Sequence, residues 1–313
     1  MRFDIRYRTF FVYDEPVRES HNEVRACPAH TPTTWLLGYR LEIWPESRVQ
    51  SFIDYWGTRV DTFGMRDAHM ELEVVAHGTV QTSTPPAPSG ASLDEVAGRA
   101  GAHEFLSPSR HTAWTAGMRR EALSVVDGLG DVAGAAEAVG AIRSHVHERL
   151  SYEPGVTGIH TTASESWQAG AGVCQDYSHV TIALLRSLGI PARYVSGYLF
   201  TLDESSTAAE AMPEGTVEVQ THAWVEAMVG PGEWFGVDPT GGVDVGARHV
   251  KIGHGREYDD VTPFHGTYRG HASAELTASV EIERLGESGP SRPRLRQPAS
   301  QRLRPSTRGQ QQQ

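Results

Sequence analysis

The sequence has few cysteines and no long apolar run, and both features limit what the chain can be. Only two cysteines, Cys27 and Cys174, occur in 313 residues, which excludes a disulfide framework. The first fourteen residues, MRFDIRYRTFFVYD, alternate charged and apolar side chains, so they fit neither a signal peptide nor a membrane span. We therefore expect a cytoplasmic protein with no membrane partner.

Motifs for cofactors and metals are also missing. No calcium loop, phosphate loop or dinucleotide fingerprint occurs, so we predict no cofactor. His145 and His147 are two residues apart on a predicted helix and face different ways, which makes them a poor metal pair. Four more histidines lack companions at metal-ligand spacing and are interpreted as solvated or core residues: His249, His254, His265 and His271. We accordingly predict no metal site.

The composition is that of an ordinary acidic globular protein. Hydrophobic residues make up 39% of the chain and charged residues 21%, and the formal net charge is -11. Seven arginines lie in residues 284–313, so the rest of the chain is more acidic still, which argues against nucleic acid as the main partner. Residues 285–313 consist mainly of Arg, Pro, Ser and Gln, and we predict a disordered tail there.

The chain changes character near residue 84. Before it, five segments alternate like antiparallel strands: residues 2–13, 33–44, 49–56, 58–63 and 70–82. The stretch TPPAPSGAS, residues 84–92, can continue neither a strand nor a helix. We predict a β-rich N-terminal domain over residues 1–83, a linker over 84–92, a second domain over 93–284 and the tail over 285–313.

The second domain mixes helices and strands. Helices are predicted over residues 115–129 and 132–150, then a short strand over 151–153, a long loop over 154–173 and an apolar helix from Cys174. Strands are predicted after that helix over residues 193–202, 217–228, 234–238, 249–252 and 271–282. A helix packed on antiparallel strands indicates the α+β class.

Cys174 has the position of a nucleophile. It follows small residues and opens the helix, where unpaired N–H groups and the positive dipole end favour a thiolate. A cysteine in such a place is also commonly a plain core residue, and Cys27, which has no helix start beside it, is interpreted as structural.

His222 and Asp238 are the candidate partners of this thiol. His222 lies on one predicted strand and Asp238 ends the next, and the turn Gly230-Pro231-Gly232 between them predicts a hairpin. The two side chains should then be direct or near neighbours. Cysteine acyl transfer needs such a set: a thiolate, a base and a group that orients the base.

Two further residues have open interpretations. Asp176 is either a second charge near the site or a partner of the helix dipole. Trp224, two residues after His222, either shields the ion pair from water or is ordinary strand packing.

These segments resemble a known family. Several segments are similar to the bacterial transglutaminase-like proteins: GVCQDYSHVTIALLRSLGIPARYVSGYL, THAWVE, WFGVDPT, His249-Val250 and GREYDDVTP, with HNE and FIDYWG in the N-terminal part. These proteins belong to the papain-like superfamily of transglutaminases and related cysteine peptidases. The resemblance covers about residues 1–282 and implies an N-terminal antiparallel β domain before a papain-like transglutaminase core.

The resemblance also implies roles for individual residues. Cys174 would be the nucleophile, His222 the base and Asp238 the orienting carboxylate, with the Cys174 N–H as one oxyanion donor. Papain-like enzymes often use a glutamine side chain six residues before the nucleophile as a second donor, and Gln168 has that offset. Tyr152, placed just after a predicted helix and before the loop, is a rival second donor.

The expected function is cysteine-dependent acyl transfer on a peptide or protein substrate through a thioester. Hydrolysis by water is the first choice, because water needs no dedicated site. Transfer of glutamine side chains to a primary amine is the alternative enzyme, and a non-catalytic peptide-binding module is the alternative of another class.

Overall fold

Antiparallel β-structure fills the N-terminal part of the chain. The computed structural model describes residues 1–96, 102–130, 134–201, 216–219 and 221–286. Its first five strands are β1 (Arg2–Val24), β2 (Thr34–Trp44), β3 (Gln50–Ile53), β4 (Arg59–Met65) and β5 (His69–Thr82). Alternation explains them, because Phe3, Ile5 and Tyr7 of β1 are buried while their neighbours are more exposed.

Helices and further strands make up the second part. The helices are α1 (Leu93–Val96), α2 (Ala116–Asp127), α3 (Ala135–Arg149), α4 (Ala163–Ala169) and α5 (Cys174–Ser187), with 3₁₀ turns at His103–Phe105 and Tyr258–Val261. The strands are β6 (Ser151–Tyr152), β7 (Ala171–Gly172), β8 (Ala192–Leu199), β9 (Thr216–Val219), β10 (His222–Gly230), β11 (Glu233–Asp238), β12 (Val243–Asp244), β13 (His249–Gly255), β14 (Phe264–Arg269) and β15 (Ala274–Arg284).

A five-stranded sheet supports the buried helix α5. Its strand order is β12-β11-β10-β8-β13, with all neighbours antiparallel. Ala223, Val225 and Ala227 of β10 share one hydrophobic cluster with the apolar side chains of α5. The α+β class predicted from the sequence is confirmed, with a helix packed on antiparallel strands.

The C-terminal strands correct the predicted domain division. Residues up to 284 were assigned to the second domain, but β14 and β15 pair with β1, and β9 pairs with β15. All three therefore belong to the N-terminal sheet. β1 is long enough, at 23 residues, to hold β5 and β15 along its first half and β4 and β14 along its second.

Two other predicted segments differ locally. The loop predicted over residues 154–173 contains α4 and β7, and the strand predicted over 217–228 is divided into β9 and β10. Thr162 explains the helix: its hydroxyl accepts from the Glu165 N–H while the Glu165 carboxylate accepts from the Thr162 N–H.

Aromatic side chains join the two sheets. The rings of Phe3 and Phe200 lie 5.0 Å apart, and those of Tyr7 and Tyr198 lie 6.3 Å apart. No helix in the described ranges is long and apolar enough to cross a membrane. The predicted disordered tail lies outside the described residues from position 287 onwards.

Candidate active site

Cys174 is the first residue of α5 and is partly exposed. Its own N–H belongs to the first turn, where backbone donors have no acceptor within the helix. The parallel pairing of β6 with β7 brings Tyr152 beside Gly172, two residues before the cysteine. The thiol therefore lies at a fixed helix start rather than on a free loop.

Asp176 anchors that helix start. Its buried carboxylate accepts hydrogen bonds from the Val173 N–H at 2.8 Å, from Thr157 Oγ1 at 2.7 Å and from Ser166 Oγ at 2.8 Å. All of these partners position backbone around Cys174. The carboxylate thus holds the first turn of the helix that begins at Cys174.

His222 and Asp238 meet as the hairpin predicts. The β10–β11 register pairs Val225 with Val237, which puts Asp238 at the same end of the sheet as His222. His222 Nε2 lies 2.8 Å from Asp238 Oδ2. Because this nitrogen is occupied, the other ring nitrogen, Nδ1, is left for Cys174.

The charges of the three residues support one another. Burial disfavours the His222 imidazolium, but hydrogen bonds and charge interactions with Asp238 and Cys174 raise its pKa to about 10. Burial also opposes ionisation of Asp238, yet the hydrogen bonds from His222 and His249 lower its pKa. At neutral pH the arrangement favours a carboxylate beside an imidazolium next to the thiol.

His249 also belongs to the cluster, although the sequence predicts only a solvated or core residue at this position. Its Nδ1 accepts from the Gly246 N–H at 3.2 Å, so its Nε2 carries the hydrogen and donates to Asp238 Oδ2 at 3.2 Å. His249 is buried, which agrees with its interpretation as a core residue, but it contacts the site directly. The available signal was its place at the start of a predicted strand within the family-like segment.

Trp224 covers the inner side of the cluster. Its buried ring lies 6.2 Å from the His222 ring and 5.3 Å, edge-on, from the His249 ring. Gly197, opposite His222 on β8, makes room for it, because a Cβ there would lie 2.3 Å from the Trp224 ring. Trp224 therefore packs beside both imidazole rings.

The two candidate oxyanion donors are placed differently. Tyr152 is 56% exposed, and its partial burial, with a smaller contribution from Cys174, raises its pKa. Gln168 is exposed on α4, and among the described residues no hydrogen bond or ion pair joins it to Cys174.

Two groups of side chains have ligand atoms close enough to hold a metal ion. They are His222 with Asp238 and His249, and His111 with Glu257 and Asp259, each within 4.8 Å. The ligand atoms of the first group already hydrogen-bond one another. In the second group the His111 backbone N–H donates to Glu257 Oε2, and His111 Nε2 lies 3.3 Å from Asp259 Oδ2.

Comparison with known proteins agrees with this architecture. Residues 124–239 match the transglutaminase-like superfamily, and residues 3–81 match the bacterial transglutaminase-like N-terminal region. The uncharacterised protein ML0607 of Mycobacterium leprae is 35% identical over 91% of this chain and 99% of its own.

Two further likenesses are more distant. A protein-glutamine gamma-glutamyltransferase of Pseudomonas aeruginosa is 32% identical over 100 residues, which are 30% of this chain and 14% of that one. The crystal structure of a proposed cysteine protease from Cytophaga hutchinsonii, 24% identical, superposes with a TM-score of 0.68 over 90% of both chains. This second likeness shows the shared fold.

Proposed function

Because this chain belongs to the transglutaminase-like superfamily, we propose that it is a cysteine-dependent acyl-transfer enzyme acting on peptide or amide bonds. The observation that carries the proposal is the position of His222. Its imidazole is hydrogen-bonded to Asp238 and interacts electrostatically with Cys174. Members of this superfamily are generally cysteine-dependent enzymes. We assign Cys174 as nucleophile, His222 as acid and base, and Asp238 as the group that orients His222.

The first half of the reaction forms a thioester. The Cys174 thiolate attacks the amide carbonyl carbon, and the resulting oxyanion accepts a hydrogen bond from the Cys174 N–H. His222 then gives the Nδ1 proton to the departing amine as the C–N bond breaks. Asp238 holds the Nε2–H throughout, so the ring cannot turn away.

The second half transfers the acyl group. His222, now neutral, takes a proton from the incoming nucleophile, whose attack releases the thiolate. We propose water as that nucleophile, which makes the protein a peptidase or amidase. Amine transfer is the second candidate, favoured by the 100-residue likeness to a protein-glutamine gamma-glutamyltransferase.

A peptide library incubated with and without a tagged primary amine tests the function. We expect wild-type protein to cleave peptides and Cys174→Ala to cleave none, with products read by mass spectrometry. Tagged glutamine residues without cleavage would instead assign the amine-transfer reaction.

The same experiment can also rule out the enzyme proposal. If neither cleavage nor tagging exceeds the Cys174→Ala level while peptides are retained by the protein, the chain is a peptide-binding module and the enzyme proposal is wrong. Cys27→Ala is the matched control, because it removes the other thiol and leaves the site intact.

A further inference from the structure

A loop of the chain is fixed beside the nucleophile. It comprises residues 154–161 and connects β6 with α4. Gln175, directly after Cys174, donates from Nε2 to the Ile159 carbonyl at 3.1 Å. Asp176 accepts from Thr157 Oγ1 at 2.7 Å. The two residues that follow the nucleophile therefore both hold this loop.

Internal hydrogen bonds make the same loop rigid. The Gly158 N–H donates to Thr161 Oγ1 at 2.9 Å, and the Thr161 N–H donates back to the Gly158 carbonyl at 2.9 Å. His111 Nδ1 lies 3.2 Å from the Thr161 carbonyl, which ties the loop to the core. A binding surface formed in advance in this way costs little ordering entropy when a ligand arrives.

The loop presents apolar side chains to solvent. Val156 is 54% exposed and Ile159 is 57% exposed. They border an open cavity of about 580 Å³ that residues 156–161 line together with Glu165 and Ala169. Single exposed apolar residues are ordinary, but here two lie within four positions on a rigid loop that accepts a hydrogen bond from Gln175, the residue directly after Cys174.

We propose that this loop is a substrate subsite that holds an apolar side chain on the acyl side of the scissile amide. The inference rests on the proposed acyl-transfer function and specifies that the enzyme prefers substrates with an apolar side chain at this position. The acyl part stays bonded to Cys174 Sγ through the thioester, so a pocket fixed to Gln175 and Asp176 can hold it through both steps. Burying Val156 and Ile159 supplies the attraction, and the Glu165 carboxylate on the cavity wall disfavours acidic side chains.

Peptidyl chloromethyl ketones test this preference without a known substrate. The Cys174 thiolate displaces chloride and forms an S–C bond, and the second-order rate is read by mass spectrometry. Probes carry leucine or aspartate at the first or second residue before the reactive carbon. At one of these two positions, wild-type protein should react about tenfold faster with the leucine probe than with the aspartate probe, which is the discrimination that one hydrophobic contact allows.

Variants of the loop locate the effect. Val156→Ser with Ile159→Ser should reduce the leucine preference to about twofold or less, while iodoacetamide, which has no side chain to place, reacts with Cys174 at the wild-type rate. Leu276→Ser on β15, where leucine is 54% exposed, is the matched control and should keep the tenfold preference.

The outcomes separate the two proposals. If iodoacetamide shows Cys174 to be an ordinary thiol, the acyl-transfer function fails. If Cys174 is activated but leucine and aspartate probes react alike, or the loop variants keep the preference, the subsite is wrong and the function stands.

Discussion

The carboxylate of Asp238 shows how single residues build the site. Its Oδ2 accepts from both His222 and His249, and its Oδ1 accepts from the Thr240 and Gly241 N–H groups at 3.0 and 3.2 Å. Every lone-pair direction of the carboxylate is thus occupied by a donor. This fixes the position of the imidazole that faces Cys174.

His249 should act as a positioning residue through that carboxylate. His249→Leu removes one hydrogen bond to a charged group, and we expect Cys174 alkylation near neutral pH to slow about tenfold. The hydrogen bond lowers the pKa of Asp238, so without it the carboxyl group protonates at higher pH and the acid limb of the rate profile moves upward. His249→Gln keeps a donor and should restore most of the rate. If the acid limb of the alkylation rate profile is the same in His249→Leu as in the wild type, His249 contributes only packing.

The approach of His222 to Asp238 could be predicted from the sequence, but the supporting contact from His249 could not. A hairpin with a known turn brings His222 near Asp238 by register alone. His249 comes from β13, which pairs with β8 rather than with either hairpin strand. Its approach to Asp238 depends on the order of strands in the sheet, and no local spacing encodes that order.

At the scale of elements, a glycine on β8 lets the site assemble. Gly197 pairs with His222, and the ring of Trp224 lies over it. A Cβ at Gly197 would also lie 2.4 Å from the Val250 carbonyl on the other neighbouring strand. The sheet can close around Trp224 only because this position has no side chain.

Gly197→Ala should therefore destabilise the protein and slow Cys174 alkylation. The added methyl group forces Trp224 or β13 to shift, which costs about 1–3 kcal/mol in a packed core. Urea unfolding measures the loss. Gly38→Ala on β2 is the matched control, because a Cβ there meets nothing within 4 Å. Equal unfolding free energies for the two variants would contradict the close packing of Trp224.

The sequence pattern predicts most of the longer strands and helices but not the short helix α4. Alternation and helical period predicted β1 to β5 and helices α2, α3 and α5 within a few residues, apart from the full length of β1. Helix α4 was missed because seven residues are too few for a clear apolar period, although Thr162 and Glu165 formed a readable capping box.

On the scale of the whole molecule, the last described strand pairs with the first. β15 pairs with β1 from Phe3 to Tyr13, and Val280 and Ile282 are buried in the N-terminal cluster. Such pairing between distant ends leaves no local pattern in the sequence, which is why the predicted domain division put β15 with the second domain. We propose that the two sheets form one structural unit.

Truncation tests this unit. A chain ending at residue 273 loses β15, which uncovers one edge of β1 and leaves β9 without its partner. We expect its Tm to fall by at least about 10 °C, or cooperative unfolding to be lost. A chain ending at residue 286 keeps every described strand and should melt like the full chain. Similar melting of both truncated chains would show that the second part folds without β15.

The pH dependence of Cys174 alkylation by iodoacetamide tests the central claim most directly. His222 has its pKa raised to about 10, so its positive charge beside Cys174 persists throughout the neutral range, and the alkylation rate should change little between pH 6 and pH 8.5. In His222→Ala the rate at pH 6 should fall about 10²-fold, as for a free thiol with a midpoint near 8.5. Cys27, whose pKa burial raises to about 11, is the slow internal reference. A wild-type rate that rises tenfold per pH unit up to about 8.5, and is unchanged in His222→Ala, would contradict the account.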